Sequence, residues 1–208
     1  MIKCIIFDCD GTLVDSEYLC NLGLELKLRE IQIEESAHEM VIKYRGGKLS
    51  EILKSLELKY NIVLDEDFVT SYRALVETLF ENNLKPIDGV INTLEKLNLP
   101  KCVASSGPLK KIEKSLSLTN LKQFFNDNIF SSYEINSWKP EPELFLHAAE
   151  KMGFRPNQCA VVEDSQIGIH AAIAANMLPI FYDPLNLNIK DSRVRIIKKM
   201  RELHSVIT

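Results

Sequence analysis

Acidic side chains at two places in the sequence could bind a divalent cation or transfer protons. Asp8 and Asp10 lie two residues apart after a short apolar run, and Glu163 and Asp164 follow a second such run. In an extended chain, residues two apart lie on the same side. Close carboxylates repel unless a cation or a shared proton offsets their charge, and magnesium prefers oxygen ligands. The pattern predicts a metal site, although Asp-x-Asp-Gly is also common in solvated turns.

Two further clusters could bind an anion. Ser105, Ser106 and Gly107 follow an apolar run and precede a helical pattern. A hydroxyl and backbone amides would therefore lie at a helix N-terminus, which attracts anions. Lys139 stands between a tryptophan and a proline, and an ammonium held there could neutralise an aspartyl nucleophile and its phosphate. Taken singly, the serine cluster also fits a capped turn, and Lys139 also fits a surface lysine.

Strand and helix patterns alternate around these clusters. Continuous apolar runs at residues 3–7, 101–104 and 159–162 favour strands buried on both faces of a parallel sheet, and weaker strand signals lie at 128–131 and 178–181. Helical patterns cover residues 88–97, 110–118, 141–152, 167–175 and 193–203. The alternation predicts an α/β fold, a Rossmann-like parallel sheet with helices on both faces. Ligands of such sheets bind beyond the carboxyl ends of the strands, where the polar clusters would converge.

Residues 15–86 interrupt this alternation. Their leucine-rich stretches look helical, with charged faces between them and no convincing strand. We therefore expect an α/β core of residues 1–14 and 87–208, with a helical unit of residues 15–86 inserted after the first strand.

The composition limits which binding partners and which cellular compartment we expect. The 208 residues carry a formal net charge of −4, which gives no reason to expect nucleic acid or an anionic membrane as a partner. The five cysteines form no CxxC pair and most lie in apolar runs, which is typical of buried thiols in a reducing compartment. No signal-peptide pattern and no apolar run of about 20 residues is present. We expect a cytoplasmic protein, either a monomer or a weak dimer.

The four polar clusters, taken in order, resemble the motifs of the haloacid dehalogenase superfamily. The first motif is Asp-Cys-Asp-Gly-Thr-Leu-Val-Asp-Ser at residues 8–16, and Ser105 in Val-Ala-Ser-Ser-Gly stands for the second. Lys139 in Trp-Lys-Pro-Glu-Pro corresponds to the third, and Val-Val-Glu-Asp-Ser at residues 161–165 to the fourth. Their order and gaps extend the resemblance over essentially the whole chain.

The resemblance implies a role for each residue. Asp8 would be the nucleophile that forms an aspartyl-phosphate, and Asp10 the acid and base. Substrate phosphate would be held by Ser105, Lys139 and the backbone near Gly11, Ser106 and Gly107. Mg²⁺ would be held by Asp8, the backbone carbonyl of Asp10, and Asp164, with Glu163 assisting. The helical insertion would be a mobile cap that excludes water.

Within the family, the short helical cap resembles that of the β-phosphoglucomutase-like branch. Segments 7–17, 46–52, 105–108 and 137–140 are most similar to bacterial 6-phosphogluconate phosphatases. The implied substrate is a small phosphorylated metabolite, a sugar phosphate such as 6-phosphogluconate. In the cap, Arg45 and Lys48 could hold a distal carboxylate or phosphate, although the pair also fits a solvated loop beside two glycines.

Three alternatives stay open at this point. A phosphomutase of the β-phosphoglucomutase type carries a cap-hinge histidine where this chain has Cys20. A non-catalytic binding protein of the family would be expected to lose a key acidic group, and the aspartates are intact. A dehalogenase usually lacks the second aspartate, so Asp10 disfavours it.

Overall fold

The computed structural model describes residues 1–187 and 189–207. They fall into two compact units, one formed by Met1–Val14 with Lys85–Thr208 and the other by Asp15–Leu84. Pro86, just after the second unit, forms an antiparallel bridge with Val14. No helix within the described ranges is long and apolar enough to cross a membrane.

Strands and helices alternate in the first unit, and the second unit is helical. In chain order the elements are β1 (Cys4–Phe7), α1 (Glu17–Glu30), α2 (Ala37–Tyr44), α3 (Leu49–Tyr60), α4 (Glu66–Asn83), α5 (Val90–Lys96), β2 (Lys101–Ser105), α6 (Leu109–Leu118), β3 (Ile129–Ser131), α7 (Ser132–Ile135), α8 (Glu143–Lys151), β4 (Cys159–Glu163), α9 (Gln166–Ala174), β5 (Leu178–Tyr182), β6 (Arg195–Ile197) and α10 (Leu203–Ile207). Three short 3₁₀ helices lie at Lys122–Phe124, Pro156–Gln158 and Met200–Glu202.

The first unit is built on one six-stranded sheet in the order β3-β2-β1-β4-β5-β6, and every pairing is parallel. All residues of β1 and β4 are buried, as expected for strands covered on both faces. Ile6 packs in a core with Phe145 of α8 and Ala171 of α9. Its neighbour Phe7 meets Phe125 edge-on, with ring centroids 6.0 Å apart. The predicted α/β fold is confirmed.

The C-terminal prediction is wrong. Residues 193–203 do not form one amphipathic helix, because Arg195–Ile197 pairs with β5 as the edge strand β6 and a 3₁₀ turn with α10 follows. Pairing along Ile180–Tyr182 satisfies backbone groups of β5 that a helix could not reach. The one-turn helix α7 was also not predicted from the sequence.

The second unit consists of four helices, and every one of its residues is described. Leu24 and Leu28 of α1, Leu56 of α3 and Phe80 of α4 are buried. Asp65 caps α4 by accepting a hydrogen bond from the backbone N–H of Phe68 at 2.8 Å, which satisfies a free amide of the first turn. The absence of strands between residues 15 and 84 agrees with the expected helical insertion.

Candidate active site

Polar residues meet at the carboxyl edge of the sheet, where β1, β2 and β4 end. Phe7 pairs with Val162, so that Asp8 lies beside Glu163 on the next strand. The Asp8 backbone N–H donates to the carbonyl of Val162 at 2.9 Å, which extends the pairing one step past β1. The parallel register thus brings together residues that are 155 positions apart in the chain (163 − 8).

Asp8, Glu163 and Asp164 form a buried cluster of carboxylates. One oxygen atom from each lies within 4.8 Å of the others. The ammonium of Lys139 donates to Asp8 and, at 2.7 Å, to Oε1 of Glu163, and its side chain is only 5% exposed. The ammonium also lies 5.0 Å from the ring centroid of Phe145. The four residues therefore make a compact charged group away from water.

Electrostatics in this cluster favour an additional cation. Burial raises the pKa of Asp8; Lys139 opposes that rise, and Glu163 and Asp164 reinforce it. Burial lowers the pKa of Lys139, but Asp8 and Glu163 raise it by more, so the lysine stays charged. Three buried carboxylates thus lie together, and one buried ammonium contacts two of them. Buried oxygen ligands with excess negative charge are what a hard divalent cation requires, so the donor set fits a metal such as Mg²⁺.

Glu163 is also held from the side of α9. Its Oε2 accepts from the backbone N–H of Ser165 at 2.7 Å and from the Ser165 hydroxyl at 2.8 Å. The same hydroxyl accepts from the N–H of Gly168 at 3.1 Å and so caps α9. Ser165 was not among the predicted site residues, although Ser after an acidic pair and before a helix is an N-cap signal.

Asp10 lies on a tight turn rather than on a continued strand. Gly11, with φ +75°, donates its N–H to the carbonyl of Val14 at 2.9 Å, and Leu13 donates to Cys9 at 2.9 Å. The chain therefore does not stay extended through the two aspartates. Oδ2 of Asp10 instead accepts from the ammonium of Lys111 at 2.8 Å. Lys111 was missed by sequence reasoning, because a lysine in the first turn of a helix carries no special signal.

Cys9, between the two aspartates, is a core residue. Its side chain is buried, and burial raises the pKa of the thiol, with Asp10 and Asp8 adding to the rise. A thiol so placed stays protonated and is a poor nucleophile. The chemistry of this turn therefore belongs to the carboxylates.

The serine cluster forms a fixed turn at the end of β2. Ser105 Oγ accepts from the N–H of Gly107 at 3.2 Å. Ser131, which is paired with Ser105 in the sheet, donates its hydroxyl to the carbonyl of Gly107 at 2.6 Å. Ser105 is buried, and Ser106 and Gly107 are half-buried. The turn presents a hydroxyl and backbone amides at the start of α6, and Ser131 is a support that the sequence did not reveal.

Trp138 does not hold Lys139 as expected, and the cap residues Arg45 and Lys48 lie outside the α/β unit. The ring against the Lys139 ammonium is that of Phe145, whereas Trp138 packs edge-on against Tyr133 with centroids 5.3 Å apart. Arg45 and Lys48 belong to the helical unit, in the link between α2 and α3, where Lys48 is exposed and Arg45 half-buried.

Comparison with known proteins agrees with this geometry. A family model described as haloacid dehalogenase-like hydrolase matches residues 5–181. The chain is 35% identical to a 6-phosphogluconate phosphatase of Escherichia coli over 97% of its own length and 93% of that protein. It is 31% identical to a phosphoglycolate phosphatase of Aquifex aeolicus, covering 99% of both. A haloacid dehalogenase-like protein from Agrobacterium tumefaciens, 31% identical, superposes with a TM-score of 0.86 and covers 100% of this chain and 98% of that one.

The parallel sheet, the acidic strand ends and these matches define a phosphoric monoester hydrolase with the α/β architecture of such enzymes. The chain belongs to the haloacid dehalogenase-like hydrolase family. The resemblance inferred from the four motifs is thereby confirmed.

Proposed function

We propose that this enzyme hydrolyses a small sugar phosphate through a covalent aspartyl-phosphate on Asp8. The observation that carries the proposal is the buried group at the end of β1, in which Asp8 contacts the ammonium of Lys139 beside Asp164 and Glu163. A carboxylate beside a fixed ammonium can approach a phosphate dianion with less repulsion, since the ammonium offsets the charge of both.

The other predicted site residues of the first unit each have a role in this mechanism. Asp8 attacks the phosphorus while the bond to the leaving oxygen breaks, and Asp10 gives that oxygen a proton. Water then attacks the aspartyl-phosphate, and Asp10 takes the proton that the water loses. Ser105, with the backbone amide of Ser106, stabilises charge on the equatorial oxygens. The amides of Gly11 and Gly107 already donate to Val14 and Ser105, and so shape the two turns around the phosphate.

Mg²⁺ would be held by Asp8, Asp164 and the backbone carbonyl of Asp10. It would supply charge neutralisation for the phosphate and the attacking carboxylate. Glu163 already accepts three hydrogen bonds, from Lys139 and from the amide and hydroxyl of Ser165. We therefore propose that Glu163 acts mainly by holding Lys139, with its contribution to the metal secondary.

The substrate is proposed as a sugar-acid phosphate such as 6-phosphogluconate. Support comes from the relative that bears that name, which matches over 97% of this chain. A second support is the pair Arg45 and Lys48 in the helical unit, which could hold a distal carboxylate if that unit acts as a cap. A net charge of −4 makes such local positive charges important for an anionic substrate.

The test is a screen of purified protein against phosphorylated metabolites, with and without Mg²⁺, in which released phosphate is measured. Activity should require Mg²⁺ and should vanish in Asp8→Asn, which keeps the shape of the side chain but removes the nucleophile. Circular dichroism of the variant controls for folding. Retained turnover in folded Asp8→Asn would rule out the aspartyl-phosphate, and an isomerised product without free phosphate would indicate a mutase.

A further inference from the structure

The two aspartates of the first motif are paired with two different lysines. Lys139 contacts Asp8, whereas Lys111 Nζ donates to Oδ2 of Asp10 at 2.8 Å. The Lys111 and Asp10 side chains are 34% and 24% exposed, so the pair lies at the solvent side of the site. Cys9 lies between the two aspartates in the chain. The pairs therefore flank the same short turn.

Lys111 joins two parts of the site that are distant in the chain. It is the third residue of α6, the helix that begins directly after the turn at residues 105–107. Asp10 lies on the glycine turn that follows β1. The ion pair thus fixes the carboxylate of Asp10 relative to the loop that would hold the phosphate. An aspartate on such a turn has several accessible rotamers, and one strong contact selects among them.

We propose that Lys111 is a positioning residue that holds Asp10 as the base for the second half of the reaction. The inference rests on the proposed function. In that half, water attacks the phosphorus, and the bond between the phosphorus and the carboxylate oxygen of Asp8 breaks. The proton that the water loses goes to the ionised carboxylate of Asp10. A base must lie within hydrogen-bond reach of the water. Asp10 has by then given its proton to the leaving group, and the departed group no longer contacts it, so the ammonium of Lys111 is what still fixes its carboxylate.

This role has a kinetic signature. Steps up to formation of the aspartyl-phosphate determine kcat/KM, whereas its hydrolysis affects only kcat. Removing the ammonium in Lys111→Met should lower kcat by about tenfold or more, the usual effect of losing a charged hydrogen bond. KM should fall by a similar factor, because the covalent intermediate accumulates. Thus kcat/KM should stay close to the wild-type value.

The experiment measures kcat, KM and the phosphoenzyme level by rapid acid quench, with a sugar phosphate as the substrate. Lys111→Arg should restore most of kcat, since arginine can also pair with Asp10. Lys110→Met is the matched control, because Lys110 is the exposed preceding residue of the same helix. It should leave all three quantities unchanged.

Three other outcomes would contradict a proposal. An equal loss of kcat and kcat/KM in Lys111→Met, without more phosphoenzyme, would overturn the positioning role and leave the phosphatase function standing. Absence of hydrolysis by the wild-type enzyme with every metabolite of the panel would overturn the proposed function, and the role of Lys111 with it. A loss in Lys111→Met that Lys111→Arg does not reduce would also contradict the proposal, because either cation can make the contact.

Discussion

Glu163 is enclosed by groups from three places along the chain. Lys139 contacts one of its oxygens, the amide and hydroxyl of Ser165 contact the other, and the backbone of Gly168 lies directly against the carboxyl group. A Cβ at position 168 would be 1.9 Å from Oε1 of Glu163 and 2.0 Å from Cδ. Glycine is therefore required in α9 because of this close approach, even though it weakens a helix.

We expect Gly168→Ala to destabilise the protein and to lower its activity. Alanine would favour the helix by about 1 kcal/mol, but Glu163 cannot yield without losing the contacts with Lys139 and Ser165. Overpacking of a buried site costs about 1–3 kcal/mol, and broken charged contacts add to that loss. Urea denaturation measures the change in the free energy of unfolding, and kcat should fall because Lys139 loses its support.

Gly23→Ala is the control for Gly168→Ala. Its Cβ would be 2.6 Å from a methyl of Val76 and 3.2 Å from the Tyr72 ring, which are side-chain atoms outside any buried ion pair. This variant should leave kcat nearly unchanged. Wild-type stability and activity in Gly168→Ala would mean that Glu163 is free to move and does not fix Lys139.

Residue type and spacing indicated the acidic and serine clusters at the strand ends, but their supports could not be predicted. Asp8 and Asp164 stand out because each lies close to a second acidic residue just after an apolar run. Lys111 and Ser131 look ordinary in the sequence, since a helical lysine and a strand-end serine occur throughout proteins. Their significance depends on which distant residue each one reaches, and that follows only from strand order and register.

At the level of elements, continuous apolar runs were the most informative pattern. β1 and β4 were found because strands buried on both faces need apolar residues at every position. The prediction of a helix at residues 193–203 was wrong, because this segment contains the edge strand β6, on which Arg195 and Ile196 are exposed. An edge strand with one solvated face and charged neighbours resembles an amphipathic helix over so few residues.

Ser131 connects two elements, and its removal should affect both. Its hydroxyl donates to the carbonyl of Gly107 and accepts from the N–H of Tyr133 at 3.1 Å, which caps α7. We expect Ser131→Ala to lower the free energy of unfolding by about 1–2 kcal/mol, because the cap of α7 and the hydrogen bond to the half-buried carbonyl of Gly107 are both lost. KM should rise, because the turn that holds the phosphate loses its fixed conformation.

Thermal unfolding and steady-state kinetics check this prediction for Ser131→Ala. Ser117→Ala is the matched control, since the Ser117 hydroxyl is exposed and bonds only within α6, to the carbonyl of Glu113 at 2.7 Å, among the contacts described for it. A drop in stability with unchanged KM would show that Ser131 supports α7 but does not hold the phosphate-binding turn.

For the whole molecule, a helical unit is inserted into the chain of the α/β unit, and the proposed roles divide between the two units. The residues proposed for phosphoryl transfer lie in the first unit, whereas Arg45 and Lys48 belong to Asp15–Leu84. The sequence showed the insertion because its helical patterns interrupt the alternation of strands and helices. The sequence could not identify the substrate, since exposed lysines beside glycines do not form a motif specific to any one ligand.

The helical unit should determine the preference for substrates with a second negative charge. If Lys48 binds a carboxylate remote from the reacting phosphate, its loss removes a charged hydrogen bond worth about 1.5–3 kcal/mol. Lys48→Ala should then lower kcat/KM for 6-phosphogluconate roughly ten- to a hundred-fold, and much less for p-nitrophenyl phosphate, which has no second anion. Because remote binding energy can also drive closure, kcat itself should fall with the sugar acid.

Lys54→Ala separates this effect of Lys48 from a general loss of positive charge, because Lys54 is an exposed lysine of the adjoining helix α3. It should change kcat/KM little with either substrate, since an isolated surface charge contributes little. An equal loss on both substrates in Lys48→Ala would place Lys48 at the transferred phosphate or in support of the helical unit. No loss on either substrate would mean that residues 45–48 form a solvated loop that does not bind the substrate.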